Sequence, residues 1–226
     1  GETHPYGHVA LVVHGHMPDE TKYSKVYDYG RYGKHSGPYG EGILREWNDP
    51  TKYINSENLT GRTTTGFTYP ASEQEAQNIV KHFESLKSGS KLLSSGKKGN
   101  LVPNNVYKLN HDYDAANNNC VTISLGGLIS GMPKLGNRLN SPAFEQLSTL
   151  SKFEQVGMQA AHNTNLLMLP ASLEFAATKV GGAKTSMYSA SSAKRSAPKL
   201  ANIPVKPKKS AAKLTTNVNA VKKPNA

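Results

Sequence analysis

A single cysteine near the middle of the chain, Cys120, is the residue that most constrains what this sequence can form. Three asparagines, residues 117–119, precede it, and the apolar run Val121–Leu128 follows it. Asn is a favoured helix N-cap because its side chain accepts hydrogen bonds from the free N–H groups of the first turn. The pattern predicts a helix capped by Asn118 or Asn119, with Cys120 in its first turn. There the positive end of the helix dipole favours a thiolate, which is a strong nucleophile.

A lone cysteine also has a plainer interpretation, since free cysteines are usually small buried hydrophobic residues. One cysteine cannot form an internal disulfide, so the fold has to be held together by its core. Whether Cys120 is catalytic therefore depends on which side chains the rest of the chain brings to it.

The positive charge is concentrated towards the C-terminal end. The 226 residues include 27 Lys and Arg and 16 Asp and Glu, and the last acidic residue is Glu174. From residue 181 the composition is mainly Ala, Ser, Lys, Pro and Asn, which cannot bury enough apolar area to offset the entropy of ordering. We expect a folded domain over residues 1–180 and a disordered basic tail over residues 181–226. Such a tail suits weak polyanion binding rather than specific nucleic-acid recognition, because its basic residues are not interleaved with aromatic ones.

Several kinds of site are not predicted. The sequence has no phosphate-binding G-x-x-x-x-G-K-S/T loop, no dinucleotide-binding G-x-G-x-x-G opening a helix, and no pair of cysteines for zinc. No apolar run approaches the roughly 20 residues that span a bilayer, and no secretory signal is visible at the start. We expect no cofactor, no metal and no transmembrane segment.

Hydrophobic periodicity predicts a mixed fold. The helix with the strongest signal begins with the capping box formed by Ser72 and Glu75. A second helix is predicted from Ser141 with Phe153 on its apolar side, and residues 91–100 and 131–140 are predicted loops. Strands are predicted at Tyr6–Val13, Lys25–Gly30, Gly42–Trp47, Thr63–Tyr69 and Asn105–Leu109. The expected class is α+β, with an antiparallel sheet packed against the helix that bears Cys120, followed by C-terminal helices.

Two side chains in the predicted sheet complete a set that cysteine hydrolases need: a thiolate, a histidine that shares its proton, and a polar group that orients the histidine. His8 stands at the start of the first strand and Asp28 lies on the second, so antiparallel pairing would place them side by side. Alternation puts Asp28 on the face opposite Tyr27 and Tyr29. The backbone N–H of Cys120, in the first turn of its helix, would serve the oxyanion.

Other histidines leave alternatives open. His111 lies nine residues before Cys120 and is the alternative base. His14 and His16 are two residues apart, near Asp19 and Glu20, which is a weaker pattern for a metal site than three-ligand zinc sites usually show.

Three segments together resemble a known group. They are Gly7–Val13, Val26–Gly30 and Asn118–Thr122, with the sequences GHVALVV, VYDYG and NNCVT. Their order resembles the papain-like NlpC family in its circularly permuted form, over roughly residues 5–130. The resemblance implies a permuted papain-like fold with Cys120 as nucleophile, His8 as base and Asp28 as the orienting residue. Asn119 and Tyr6 are assigned supporting roles near the oxyanion.

The same resemblance implies a function. Family members hydrolyse amide bonds in cell-wall peptides through a thioester, and permuted members occur among antibacterial toxins delivered by secretion systems. We therefore expect a peptidoglycan-cleaving enzyme, of the type VI effector kind, that is secreted or delivered to the periplasm of a target cell. Its expected partners are peptidoglycan peptides, an immunity protein and a secretion-machinery carrier.

Two other functions stay open. Lecithin-retinol acyltransferase-like proteins share the permuted order and act on lipid esters, which makes an acyltransferase or phospholipase the first alternative. A non-enzymatic binding module with a buried Cys120 is the second.

Overall fold

The structure, a computed structural model, describes residues 7–17, 19–59, 64–96, 101–162 and 165–184. These residues fall within one compact unit. The strands in the described residues are β1 Leu11–His16, β2 Lys22–Gly30, β3 His35–Ser36, β4 Tyr39–Gly40, β5 Ile43–Trp47, β6 Phe67–Thr68, β7 Lys91–Ser95, β8 Asn105–Lys108, β9 Tyr113–Asp114 and β10 Ala183–Lys184. The helices in the described residues are α1 Pro50–Leu59, α2 Glu73–Lys87, α3 Cys120–Gly131, α4 Pro133–Leu139, α5 Lys152–Ala161 and α6 Pro170–Val180.

The expected α+β class with an antiparallel sheet is confirmed. Five strands form the main sheet in the order β1-β2-β5-β8-β7, and every neighbouring pair is antiparallel. The register pairs Leu11 with Tyr27 and Asp28 with Arg45. Among the helices that the structure describes, none has the length and apolar character needed to cross a membrane.

Strand β2 places Val26 and Asp28 on one face and Tyr27 and Tyr29 on the other, as its alternation predicted, and both faces are buried. Tyr27 and Tyr29 belong to the core cluster on the side of α2, where the Tyr27 ring stacks on Phe83 with centroids 3.9 Å apart. Val26 packs instead with Trp47 and with residues of α1. Asp28 follows Val26 by two residues, so it points to the same face of β2, and it is fully buried. The strand therefore delivers one carboxylate to the buried face that it shares with Val26.

Helices α2 and α3 pack closely on the same side of the sheet. The predicted capping box of α2 is present, because Ser72 Oγ accepts from the Glu75 N–H and the Glu75 carboxylate accepts from the Ser72 N–H. On α3, a Cβ placed on Gly131 would lie 2.5 Å from the Glu75 carbonyl oxygen and 2.4 Å from an Ile79 side-chain carbon. Only glycine allows this approach, which fixes α3 firmly against α2.

Several predicted elements are different in the structure. The predicted loop at residues 91–100 begins with β7, an edge strand of the main sheet. Its Leu92 and Leu93 are about half exposed, so β7 lacks the buried face that identifies most strands. The predicted loop at residues 131–140 contains α4, which Pro133 begins at its first position.

Helix α1 was not predicted, although Asp49-Pro50 is a suitable start. The Asp49 carboxylate accepts from the backbone N–H of Thr51 at 2.9 Å. The predicted strand at Thr63–Tyr69 is reduced to β6, which pairs with β10 rather than with the main sheet.

The helix predicted from Ser141 is absent, and two 3₁₀ turns stand in its place, Pro142–Phe144 and Leu147–Thr149. A spacing of three residues between apolar side chains fits a 3₁₀ turn as well as an α-helix. The helix that follows, α5, starts at a complete capping box formed by Ser151 and Glu154. Phe153 was predicted to be on an apolar packing face, but it is 90% exposed.

Two elements lie at the predicted boundary near residue 181. Gly181 ends α6 in the left-handed conformation, and β10 pairs with β6 shortly after it. The described residues end at residue 184. The remainder of the predicted basic tail lies outside the described residues.

Candidate active site

The predicted nucleophile is the first residue of α3. Asn119 is the N-cap of this helix, and its Oδ1 accepts hydrogen bonds from the backbone N–H groups of Val121 at 2.8 Å and Thr122 at 3.0 Å. The backbone N–H of Asn119 in turn donates to Thr122 Oγ1 at 2.9 Å. The predicted cap and the first-turn position of Cys120 are thus both present.

The side-chain amide of Asn119 is completely engaged within the protein. Its Nδ2 donates to the carbonyl oxygens of Ala115 at 2.7 Å and Met168 at 3.0 Å. An amide NH2 has two hydrogens, so none is left for a substrate oxyanion. Asn119 therefore supports the site by fixing the start of α3 rather than by binding the oxyanion.

The backbone N–H of Cys120 is the donor best placed for an oxyanion. First-turn N–H groups have no acceptor inside their own helix. Within the described parts of the chain, no hydrogen bond of this N–H to another group is found. Tyr6, the other residue assigned a supporting role, lies outside the described residues.

His8 connects the nucleophile to the carboxylate. Its Nε2 lies 2.5 Å from Asp28 Oδ1, and Cys120 is near enough for its charge to act on the pKa of the His8 ring. The strand order brings this about, because β1 and β2 pair directly and the segment before β1 runs alongside the end of β2. The structure thus brings Cys120, His8 and Asp28 together.

The surroundings of His8 favour its protonated form. Burial alone would lower the pKa of His8, since a charged ring is poorly solvated there. The negative charge of Asp28 acts in the opposite direction, and the charge of Cys120 and the hydrogen bond to Asp28 add to it. Together they raise the pKa of His8 to about 10. At neutral pH the ring is therefore an imidazolium that can donate a proton.

Asp28 stays ionised despite its burial. Burial would raise the pKa of this carboxyl, but the guanidinium of Arg45 and the ring of His8 hold it well below its usual range. Arg45 Nε donates to Asp28 Oδ2 at 2.7 Å, and Arg45 Nη2 donates to the same oxygen. The carboxylate therefore presents one oxygen to His8 and the other to Arg45.

Three residues of this site were missed by sequence reasoning: Tyr32, Arg45 and Glu57. The Tyr32 hydroxyl donates to Asp28 Oδ1 at 2.9 Å and lies 3.1 Å from His8 Nε2. Arg45 lies opposite Asp28 in the β2–β5 register, so pairing the two predicted strands would have identified it. Glu57 lies on α1, which sequence reasoning did not predict.

The alternative base, His111, is placed differently. Its ring lies 5.8 Å from that of Tyr29, and its Nε2 is buried without a hydrogen-bond partner among the described residues. Burial lowers the pKa of His111, and the opposing charge comes from Asp112 rather than from Cys120. The charge of Cys120 is therefore a cause of the pKa shift of His8 and not of that of His111.

The two histidines of β1 do not form a metal site with their acidic neighbours. His14 Nδ1 is 2.8 Å from Ser24 Oγ, and His16 Nδ1 is 3.9 Å from a carboxylate oxygen of Glu73. No group of three or more His, Cys, Asp or Glu side chains suited to a metal ion is found in the residues that the structure describes.

Access to the sulfur is narrow. Cys120 is 5% exposed and packs with a cluster that includes Val9, Val121 and Leu167. The His8 side chain is 10% exposed. The site therefore combines a nearly buried sulfur, a charged imidazole and an ionised carboxylate, which are the groups that attack by a cysteine on a carbonyl carbon requires.

Comparisons with models of protein families, with curated proteins and with solved structures found no match for this chain.

Proposed function

We propose that this protein is a cysteine hydrolase that cleaves amide bonds in peptidoglycan peptides, with a permuted papain-like arrangement of its site. One observation carries the proposal: His8 is hydrogen-bonded to Asp28 and its pKa responds to the charge of Cys120, which begins a helix. The chain order histidine, carboxylate, cysteine agrees with the permuted form, and so does the packing of the cysteine helix on an antiparallel sheet.

In the proposed reaction, the Cys120 thiolate attacks the carbonyl carbon of the scissile amide, and a C–S bond forms. The carbonyl oxygen becomes an oxyanion that accepts a hydrogen bond from the Cys120 N–H. The His8 imidazolium gives its proton to the leaving nitrogen, the C–N bond breaks, and a thioester remains. His8 then takes a proton from water, whose oxygen attacks the thioester carbon; the C–S bond breaks, the carboxylic acid leaves, and the thiolate and imidazolium are restored.

Digestion of purified peptidoglycan beside a phospholipid panel, with mass analysis of the products, tests the proposal. Cleaved muropeptides that are absent with Cys120→Ala and with His8→Ala are the expected result. Full hydrolysis by either variant, while it stays folded, would overturn the assignment.

Delivery to the periplasm of a target cell, as expected of a type VI effector, belongs to the same proposal. A fused signal peptide should make expression in a bacterium lytic, whereas cytoplasmic expression and the exported Cys120→Ala variant should not. Equal toxicity of the exported protein and its Cys120→Ala variant would contradict this part.

A second candidate, hydrolysis or transfer of lipid esters, is favoured by an apolar surface on α5. Phe153 is 90% exposed and Val156 is 66% exposed on this helix. The helix is anchored beside the nucleophile, because the Ala161 carbonyl oxygen accepts from Asn117 Nδ2 at 3.1 Å. An exposed apolar surface near the site suits a lipid substrate.

The two candidates can be separated with surface variants. If the substrate is a lipid, Phe153→Ser should reduce phospholipid cleavage strongly, and the control Leu93→Ser, on the far edge strand, should not. If the substrate is a peptide, neither variant should change peptidoglycan cleavage.

A further inference from the structure

We infer that Arg45 and Glu57 are positioning residues of the site: they extend it into a row of alternating charges that runs from His8 through Asp28 and Arg45 to Glu57. This inference rests on the proposed function, since it concerns the same nucleophile and base.

The contacts of the row are direct. Arg45 donates to Asp28 Oδ2 through Nε at 2.7 Å, and its Nη2 also donates to Glu57 Oε1 at 2.9 Å. The side chains of Asp28, Glu57 and Arg45 are 0%, 8% and 17% exposed. Charges buried to this degree are poorly screened by water and act strongly on one another.

Arg45 fixes the orientation of Asp28. Two nitrogens of one guanidinium donate to a single carboxylate oxygen, and this leaves the other oxygen directed at His8. The guanidinium is itself held in place, because it lies 3.8 Å from the centroid of the Tyr32 ring and donates to the Tyr32 hydroxyl at 2.8 Å. A planar guanidinium can make these contacts at once, whereas an ammonium cannot.

Glu57 acts on His8 through its negative charge. Arg45 beside Asp28 would cancel much of the negative charge that His8 experiences. A negative charge at Glu57, on the other side of the guanidinium, offsets Arg45 and leaves the Asp28 charge effective on His8. The sign of this effect does not depend on what else Glu57 contacts.

Two tyrosines among the described residues also face this region. Tyr32 and Tyr53 both have their pKa raised well above the ordinary value, first by burial and next by the charge of Asp28. They are therefore neutral at the pH of the experiment below. Cys120, on α3, faces His8 from the opposite side.

The test uses the isosteric variant Glu57→Gln, which keeps an oxygen for Arg45 but removes the charge. Cys120 alkylation by iodoacetamide is measured from pH 5 to pH 10, and the His8 imidazole is titrated by NMR. We expect the His8 titration to move to lower pH by about one pKa unit, so that the protonated fraction of the ring at pH 10 falls about fivefold. Glu84→Gln is the control, because Glu84 is about half exposed and pairs with Lys87 away from the site.

An NMR titration of His8 in Glu57→Gln that coincides with those in the wild type and in Glu84→Gln would overturn the inference for Glu57. The variant Arg45→Lys tests the role of Arg45 and keeps a positive charge at this position. It should leave the alkylation profile nearly unchanged while hydrolysis falls at least tenfold. The reason is that Asp28 Oδ2 loses the paired donors of the guanidinium. Unchanged hydrolysis would overturn the positioning role of Arg45.

If Glu57→Gln does not fold, Arg45→Met replaces it. This variant leaves Asp28 and Glu57 as unopposed negative charges and should move the His8 titration to higher pH instead, whereas an unmoved titration would overturn the inference. Alkylation and NMR need no substrate, so an absence of peptidoglycan hydrolysis would count against the proposed function alone. In that case the site after Arg45→Lys is compared by the NMR signals of the His8 ring, which should broaden or shift when Asp28 is released.

Discussion

His8 Nε2 and Asp28 Oδ1 are 2.5 Å apart, and this contact determines the charge of the imidazole next to Cys120. The residues belong to neighbouring parts of the sheet, one just before β1 and one near the end of β2. Because Asp28 is fully buried and ionised, it acts on His8 without competition from bulk water.

Replacing Asp28 with asparagine should remove the charge and keep the shape. The pKa of His8 should then fall from about 10 towards its ordinary value of 6.5. Hydrolysis should drop by roughly 10²–10⁴-fold, as when an orienting carboxylate is lost from a comparable triad. Steady-state turnover and an NMR titration of His8 measure both effects, with Asp19→Asn in the exposed loop as the control. An unchanged His8 titration would show that Asp28 is not its main partner.

The stability of the protein should depend on pH through His8. The folded-state pKa is raised above the unfolded value, so the His8–Asp28 contribution is fully present below pH 6.5 and is lost as pH rises towards about 10. We expect the free energy of unfolding of Cys120→Ala to exceed that of Cys120→Ala/His8→Gln most at pH 6 and least at pH 10. The cysteine is removed so that its own titration does not contribute. Urea unfolding at pH 6, 8 and 10 measures the difference, and a constant difference would contradict the prediction.

Loss of the Asn119 cap should affect both stability and reactivity. Asn119→Ala removes two bonds to first-turn N–H groups and leaves the carbonyl oxygens of Ala115 and Met168 without their donor. We expect a loss of about 2–4 kcal/mol in the free energy of unfolding, together with slower alkylation of Cys120. Ser151→Ala removes the exposed cap of α5 and should cost only about 1 kcal/mol, with no change in alkylation. Equal effects of the two variants would contradict a special role for Asn119.

Two glycine-to-alanine substitutions should change the free energy of unfolding in opposite directions. In Gly131→Ala the new methyl group meets the Glu75 backbone, so we expect destabilisation by about 1–3 kcal/mol. In Gly157→Ala, on α5, nothing lies within 4 Å of the new methyl group, and the higher helix propensity of alanine should stabilise the protein by about 0.5–1 kcal/mol. Thermal or urea unfolding decides the matter, and a neutral Gly131→Ala would show that α3 can move away from α2.

How much the sequence could predict depends on whether each signal is local. Cys120 and Asn119 were placed correctly because an N-cap and its helix lie within a few residues of each other. Asp28 was placed because alternation along one strand decides which way its side chain points. Arg45 needed the register between two strands, and Glu57 needed a helix whose apolar pattern is too weak to predict. No local pattern connects these two residues to the nucleophile.

The same dependence on contacts that are distant in sequence explains the wrong predictions for Phe153 and for residues 91–100. Phe153 was assigned to a packing face because three-residue spacing is compatible with two kinds of helix, and only tertiary contacts distinguish them. Leu92 and Leu93 were assigned to a loop because an edge strand with little burial has no clear periodicity.

The bond from Asn119 Nδ2 to the Met168 carbonyl oxygen has a practical consequence for anyone who wishes to shorten the chain. The stretch that resembles a known family ends near residue 130, yet the cap beside the sulfur depends on a peptide group almost forty positions later. Strand β10, at Ala183–Lys184, also pairs with β6. A chain truncated near residue 130 would therefore lack one of the two carbonyl oxygens that hold the Asn119 side chain at the start of α3.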